Sequence, residues 1–417
     1  MPLEKKHTRR KILMLAPELG YGGAETYFVR LSTLLSQHHD VTIALFSRNY
    51  RVGQYSAAGL EPQCPVLLID DAEVATSRPV RWINRWRKVK QLKCESDLAI
   101  SFLSGPNLLN AITWNSSKTV VTMLGSRKFD PNIKPSLRFF YQKIIDPLIF
   151  KLATQVVSVS NGLSNELTNF KRDVVITKFK TIEVLLDAEE IISKASEPIE
   201  EEYLKLKGLP IIVVAGRLST EKGFQHLIDL FIDVSKIIKN AKLLIIGDGP
   251  LYLALVQQCK LHGLRVNDFE PDNASVIFTG YRESPLRYFR IARIFVLSSL
   301  TEGFPNILVE ALASGILTIA SNGPWGARAV LYDNPANEFL PFPTRSPETA
   351  DYGLLMPRID DSMNRRVWVE QLCNALTNSS FYRDLSARGP DRVRDLDMRI
   401  IGQKWLNLIS ELMSVKY

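Results

Sequence analysis

The chain has 417 residues, 46% hydrophobic and 23% charged, enough for two globular domains with real cores. Four cysteines, Cys64, Cys94, Cys259 and Cys373, stand far apart with no C-x-x-C, which argues against a disulfide framework or zinc site and for a reducing compartment. The N-terminal apolar run is too short for a signal-peptide core, and no stretch approaches the ~20 apolar residues of a membrane span, so the expected location is the cytoplasm. The net charge is +8, and residues 1–190 carry all of it, with 26 Lys and Arg against 18 Asp and Glu; that half is expected to meet something anionic.

In chain order, Lys11–Ala16 reads as a strand and Thr26–Leu35 as the helix after it. The turn between them is Gly20-Tyr21-Gly22-Gly23-Ala24-Glu25. A dinucleotide fingerprint would need a third glycine where Glu25 stands, so NAD binding is disfavoured. Val41–Phe46 is the next strand. Arg78–Lys93 follows, with Arg78, Arg81, Arg85, Arg87, Lys88, Lys90 and Lys93 and no acid. In it Trp82, Ile83, Trp86, Val89 and Leu92 recur at helical spacing, giving one apolar face and a basic remainder. Such a helix either covers a sheet with its basic side wet or rests on an anionic membrane surface. Leu98–Phe102, Thr119–Met123 and Gln155–Ser160 read as further strands.

Ile191–Gly208, rich in Glu, Lys and Ser, reads as a linker. Pro210–Ala215 then restarts the alternation, which runs on through Leu243–Ile246, Ser275–Phe278, Ile294–Leu297 and Leu317–Ala320. Strand–helix alternation implies parallel sheets with helices on both faces. The predicted fold is therefore α/β, two doubly wound Rossmann-like domains facing a central cleft. The domains are residues 1–190 and 209–385, joined by the linker 191–208; a helical segment, 386–417, is expected to pack back toward the first domain. The one D-x-D, Asp395-x-Asp397, lies in an Arg-rich stretch and reads as a solvated helix face rather than a metal site.

Ligands of such sheets sit at the carboxyl ends of strands, and four successive tips in the second half carry suitable residues. Pro210–Ala215 ends in Gly216-Arg217, with Lys222-Gly223 before the next helix; two cations there can clamp a diphosphate. Leu243–Ile246 runs into Gly247-Asp248-Gly249-Pro250. Val276–Phe278 runs into Thr279-Gly280-Tyr281-Arg282, whose backbone could meet a base edge. Ile294–Leu297 leads to Glu302, Gly303, Phe304, Pro305, Asn306 and Ile307. Pro305 suits the first turn of a helix, and the free N–H groups there form an anion site. Glu310 lies one turn beyond Asn306, about 6 Å along the axis, where it could accept two ribose hydroxyls.

The runs G-R-L-x-x-x-K-G-F, I-I-G-D-G-P, F-x-G and E-G-F-P-N-x-L-x-E-A-x-A-x-G, which cover most of residues 208–358, resemble the C-terminal half of the retaining GT-B glycosyltransferases of family 4, the glycosyl transferases group 1. Glu302 and Glu310 match that family's E-x7-E. Asn322–Leu331 and Tyr352–Pro357 resemble two further segments of it, although Ala329 follows Arg328 where the family usually has Arg-Glu. The resemblance implies that Arg217 and Lys222 bind the diphosphate, Glu310 the ribose, and Glu302 the donor sugar near its anomeric carbon. It also implies that Gly247, Gly249, Tyr281, Arg282, Gly303, Phe304, Asn306 and Ile307 surround the nucleotide sugar. In the first half it implies an acceptor or phosphate loop at Gly22, Gly23 and Glu25. Many relatives carry a histidine after the fourth strand of this domain. Here that stretch is Met123-Leu124-Gly125-Ser126-Arg127 and no histidine occurs from residue 40 to 225, so Ser126 or Arg127 is expected to contact the sugar.

The expected activity is metal-independent transfer, with retention, of a hexosyl or N-acetylhexosaminyl group. The donor is a nucleotide sugar, expected to be a UDP-sugar. The acceptor is a saccharide or a lipid-diphosphate-linked one, in surface-glycan synthesis. A nucleotide-sugar 2-epimerase would want acid/base carboxylates and a histidine in the cleft, and a catalytically weakened homologue is the other alternative. A nucleic-acid binder would want aromatic residues interleaved with basic ones, a pattern that is missing here.

Overall fold

A computed structural model describes residues 9–20, 22–47, 62–70, 77–169, 176–266, 273–334, 336, 344–378, 380 and 382–414. Among these, fourteen strands form two sheets. The first contains β1 (Lys11–Ala16), β2 (Asp40–Leu45), β3 (Val66–Leu68), β4 (Leu98–Phe102), β5 (Lys118–Met123), β6 (Gln155–Ser158) and β7 (Phe179–Thr181), ordered β3-β2-β1-β4-β5-β6-β7. The second contains β8 (Ile211–Ala215), β9 (Lys242–Ile246), β10 (Val276–Phe278), β11 (Ile294–Leu297), β12 (Leu317–Ser321), β13 (Glu348–Thr349) and β14 (Leu354–Met356), ordered β10-β9-β8-β11-β12-β14-β13. All neighbours pair in parallel except β13 with β14. Strands such as IIVVA of β8 are apolar without alternation and fully buried, because helices cover both faces of a parallel sheet.

The strand order reverses between β1 and β4 and again between β8 and β11. Each reversal opens a crevice at the carboxyl ends of those strands, the usual ligand position in this class of sheet. The predicted α/β architecture of two doubly wound domains is what the chain adopts.

The segment 191–208, expected to be a linker, is folded. Helix Ala188–Ala195 is capped by Asp187, whose side chain accepts from the Glu190 amide at 2.9 Å, and a short helix Glu201–Leu204 follows. Ile191, Ala195, Tyr203 and Leu206 are buried. The polar composition reflects the wet side of these turns rather than a free tether.

The chain ends in helix Met398–Ser414, which lies on helix Gly23–His38 of the first domain. Trp405 is fully buried and its Nε1 donates to Tyr27 Oη at 3.0 Å. Lys404 pairs with Glu183 at 2.6 Å, and Lys180 pairs with Glu411. Asp397 corrects the sequence reading: it is 4% exposed, not solvated. It accepts from the Ala188 amide at 3.1 Å and from Arg399 Nε at 2.7 Å, so it pins the last helix to the crossing between domains. Among the described residues, no helix is long and apolar enough to cross a membrane.

Candidate active site

The tip of β8 is shaped by glycine. Gly223 has φ +67°, and a Cβ there would run into the carbonyl oxygen of Ser298. This close approach presses the loop after β8 against the tip of β11, and Ser298 Oγ donates to the Lys222 carbonyl at 2.7 Å. Lys222 Nζ then meets Glu302 Oε1 at 2.5 Å, and Ser299 Oγ donates to the same oxygen at 2.8 Å. Arg217 is exposed and makes no side-chain hydrogen bond among the described residues, though Glu25 of the first domain feels its charge.

Gly247 and Gly249 brace this loop. A Cβ on Gly247 would collide with the Gly216 carbonyl oxygen, and one on Gly249 would lie 2.6 Å from that of Leu218. The Leu218 amide donates to the Asp248 carbonyl at 2.9 Å. Both glycines thus have a packing role that needs no ligand. Arg282 lies beyond the β10 tip, with Tyr281 before it; Arg282 Nη2 donates to Tyr203 Oη at 3.4 Å and its guanidinium lies 6.0 Å from the Tyr288 ring centre.

Helix Asn306–Ala313 starts after Pro305. Its first side chain, Asn306, faces Gly23, where a Cβ would lie 3.1 Å from Asn306 Nδ2. Gly23 opens helix Gly23–His38, with Gly22 at its cap. Two helix N-termini, one from each domain, therefore face one another across the cleft. Both bring free N–H groups and a positive dipole end to one space. Asn306 Oδ1 is buried there without a hydrogen-bond partner among the described residues. Gly303 is packed so closely on the first domain that a Cβ would run into the Leu124 carbonyl. Phe304 is buried in the core and Ile307 packs against it.

The Glu310 side chain is partly exposed and makes no hydrogen bond among the described residues. Burial pushes its carboxyl up to about 6; Arg30 and Lys194 pull it down, and Glu190 pushes it up. Arg30 reaches Glu190 at 2.8 Å from the first domain, and Lys194 reaches Glu190 at 2.6 Å. Glu25 folds over the start of its own helix. Burial raises its carboxyl; a backbone N–H and Arg217 oppose the rise, while Glu18 adds to it.

Ser126 and Arg127 are already engaged within the first domain. Ser126 Oγ donates to Glu166 Oε1 at 2.7 Å. Arg127 pairs with Asp146, donates to Ser104 Oγ at 2.9 Å and lies 4.6 Å from the Tyr141 ring centre. Burial pushes the Asp146 carboxyl up to about 6 despite Arg127. The structure thus gathers Arg217, Lys222, Glu302, Asn306, Gly22, Gly23 and Glu25 at the cleft. Glu310 stands one turn deeper, Arg282 faces the connecting segment, and Arg127 is turned to its buried partner. Sequence reasoning missed Ser299, Glu166 and Trp325. Ser299 had a signal, since it stands three residues before Glu302 at the same strand tip; Trp325 lay within the motif segment Asn322–Leu331 without being singled out, and Glu166 had none.

Known proteins are similar to this chain in sequence and in fold. Residues 195–351 match the family model described as glycosyl transferases group 1. The chain is 24% identical over 413 residues to the GalNAc-alpha-(1->4)-GalNAc-alpha-(1->3)-diNAcBac-PP-undecaprenol alpha-1,4-N-acetyl-D-galactosaminyltransferase of Campylobacter jejuni, covering 96% of this chain and 99% of that protein. It is 27% identical over 245 residues to an uncharacterized glycosyltransferase of Methanocaldococcus jannaschii, covering 56% of this chain and 57% of that protein. The crystal structure of Anabaena HepE in complex with UDP and glucose matches with a TM-score of 0.71 at 16% identity, over 97% of this chain and 100% of that one. Over residues 195–351 the chain is similar to the glycosyl transferases group 1, and as a whole it shares the two-domain GT-B fold of solved glycosyltransferases.

Proposed function

We propose that the second domain holds a UDP-sugar and that the sugar is transferred, with retention, to an acceptor held by the first domain. The observation that carries this is the pair of helix N-termini facing each other at Gly23 and Asn306, with Arg217, Lys222 and Glu302 on the same rim. A diphosphate there would receive N–H groups and two cations, which supply the positive charge that a metal otherwise brings. Glu302, freed from Lys222 as the phosphate takes the cation, would accept hydroxyls of the donor sugar. Glu310, whose carboxyl makes no hydrogen bond among the described residues, would take the ribose. In this reading the acceptor hydroxyl attacks the face that the nucleotide leaves. The departing diphosphate takes the proton, so protein groups orient and stabilise charge.

The HepE complex with UDP supports the choice of UDP. The Campylobacter relative, whose name specifies an undecaprenyl-diphosphate-linked acceptor and an N-acetylgalactosaminyl group, supports a lipid-diphosphate-linked saccharide as acceptor and an N-acetylhexosamine or hexose as the transferred sugar. The enzyme would then work at the cytoplasmic face of an anionic membrane.

The surface offered to that membrane is wider than residues 78–93. In helix Arg78–Cys94, Val89 is buried and Trp86 and Leu92 pack against the sheet, while Val80, Trp82 and Ile83 are exposed. The continuous helical stretch 135–152 adds exposed Leu137, Phe139, Phe140, Ile144 and Leu148, with exposed Lys134, Lys143 and Lys151 beside them. Basic residues around exposed apolar ones suit an anionic headgroup zone.

A thermal-shift panel of UDP-, GDP- and ADP-linked sugars tests the donor, repeated in EDTA. The expected result is stabilisation by UDP and one UDP-sugar, unchanged by chelation. Stabilisation by GDP- or ADP-sugars alone would displace the UDP reading, and activity lost in EDTA and restored by Mn or Mg would displace the metal-free one.

A further inference from the structure

Glu166 lies on helix Asn161–Thr168 of the first domain and is 8% exposed. Its carboxylate receives two hydrogen bonds from different directions. Ser126 Oγ donates to Oε1 at 2.7 Å, and Trp325 Nε1, from the second domain, donates to Oε2 at 2.6 Å. The indole sits over Gly162, where a Cβ would lie 2.7 Å from Trp325 Cβ, and meets the Phe129 ring edge-on at 6.2 Å. The first domain therefore provides a fitted seat for one side chain of the second.

The backbone of that side chain is bonded to Glu302. The Trp325 and Gly326 amides donate to the Glu302 carbonyl at 2.8 and 3.0 Å, and the Glu302 amide donates to the Pro324 carbonyl at 3.0 Å. Moving Trp325 thus moves Glu302. Two neighbouring contacts join the same faces: Asn132 Nδ2 donates to Glu221 Oε2 at 2.8 Å, and Gly303 packs on Leu124. Transfer between domains needs the acceptor oxygen within about 3–3.5 Å of the anomeric carbon, and a misplacement of ~1 Å is costly. A buried carboxylate without its donors is also costly, so the contact favours one registered arrangement. Burial raises the Glu166 carboxyl, and the bonds from Trp325 and Ser126 and the charge of Lys128 oppose the rise.

We infer that Glu166 is a positioning residue: by holding the Trp325 indole across the cleft, it sets the domain closure that aligns Glu302 with an acceptor on the first domain. This rests on the reading that donor and acceptor occupy opposite domains.

The test compares Trp325→Phe, Glu166→Ala and Glu166→Gln with wild type. Gln can still accept from the indole and donate to Ser126 Oγ, so it is the rescue variant. The measurements are kcat, the Kd for UDP, and the radius of gyration with and without UDP by small-angle scattering. The expected result is a loss in kcat of about ten- to a hundred-fold in the Phe and Ala variants. Their UDP affinity should stay within two-fold of wild type and their UDP-bound form should be more open, while Glu166→Gln recovers most of the activity. Wild-type kcat in both Trp325→Phe and Glu166→Ala would overturn the inference, as would UDP affinity falling in step with kcat, or a Gln variant as impaired as Ala. Wild type inactive with every UDP-sugar would count against the donor reading instead, and scattering on UDP binding would still decide the closure contact.

Discussion

Lys222 and Glu302 neutralise one another at 2.5 Å, so neither leaves an unpaired charge at the cleft. Changing Lys222 or Arg217 to Ala should cost ~2–4 kcal/mol in transition-state stabilisation. It should leave the unfolding midpoint close to wild type, because Arg217 is exposed and Lys222 retains partial exposure. Near-wild-type kcat/KM in both variants, with any working donor, would remove them from the diphosphate site. Glu310 gives a pH signature. A carboxylate accepts ribose hydroxyls and a neutral carboxyl does so poorly. Burial pushes Glu310 up to about 6, so donor affinity should be full above that value and fall as pH drops through it. In Glu310→Gln the donor KM should be higher and flat between pH 5 and 7; a wild-type pH profile in that variant would dissociate Glu310 from donor binding. Lys222, Glu302 and Glu310 were legible because they share short segments at strand tips. Glu166 and Trp325 were not, since they lie 159 positions apart and neither segment has a pattern that names the other.

At the scale of elements, the central strands and the edge strand β10 were legible, and the other edges were not. β8 and β11 are buried throughout and read as uninterrupted apolar runs, and β1 and β4 do so apart from Lys11 at one end and Ser101 within. β3, β7 and β13 are two or three residues long and partly exposed, too short for periodicity to register. β14 is also short, though buried, and was visible only as part of a motif. The helices at 188–195 and 201–204 were hidden because a short helix with one buried stripe has the composition of a linker. Lys93 shows the same limit in helix Arg78–Cys94. It sits on the side expected to be wet, yet it is buried and donates to the carbonyls of Asn110 and Thr113, both at 2.8 Å, and to Thr119 Oγ1 at 3.0 Å. The last helix carries the clearest energetic prediction at this scale. Trp405 is fully buried against the first domain, so Trp405→Ala should destabilise by ~3–5 kcal/mol. Chemical denaturation of the variant measures this; a loss under 1 kcal/mol would mean that the helix is not part of the first domain's cooperative unit.

At the scale of the molecule, the basic residues behind the excess charge of residues 1–190 include two distinct groups. Arg30, Arg85, Lys93 and Arg127 are committed to Glu190, Asp70, three oxygens and Asp146. Arg78, Arg81, Arg87, Lys88 and Lys90 remain exposed on one helix, and Lys134, Lys143 and Lys151 on the stretch 135–152. Both pack against the helix Ser104–Ile112, so they belong to one helical layer over the first sheet. Leu137, Phe140, Ile144 and Leu148 recur every three or four residues on this layer and are exposed, and a patch of that kind needs a partner. A basic residue near an anionic leaflet contributes up to ~1 kcal/mol, screened over a length on the order of 10 Å at 0.1 M salt; inserted apolar side chains are insensitive to salt. The two contributions therefore separate in co-sedimentation with anionic vesicles. Arg87, Lys88 and Lys90 changed together to Ser should weaken binding at low salt only. Phe140→Ser with Ile144→Ser should remove the binding that survives high salt, while activity on a soluble acceptor analogue persists in both. If wild type fails to pellet with anionic vesicles at low salt, the membrane is not the partner of this face. Concentration-dependent dimerisation abolished by the Phe140 and Ile144 changes would assign it to a second copy of the chain.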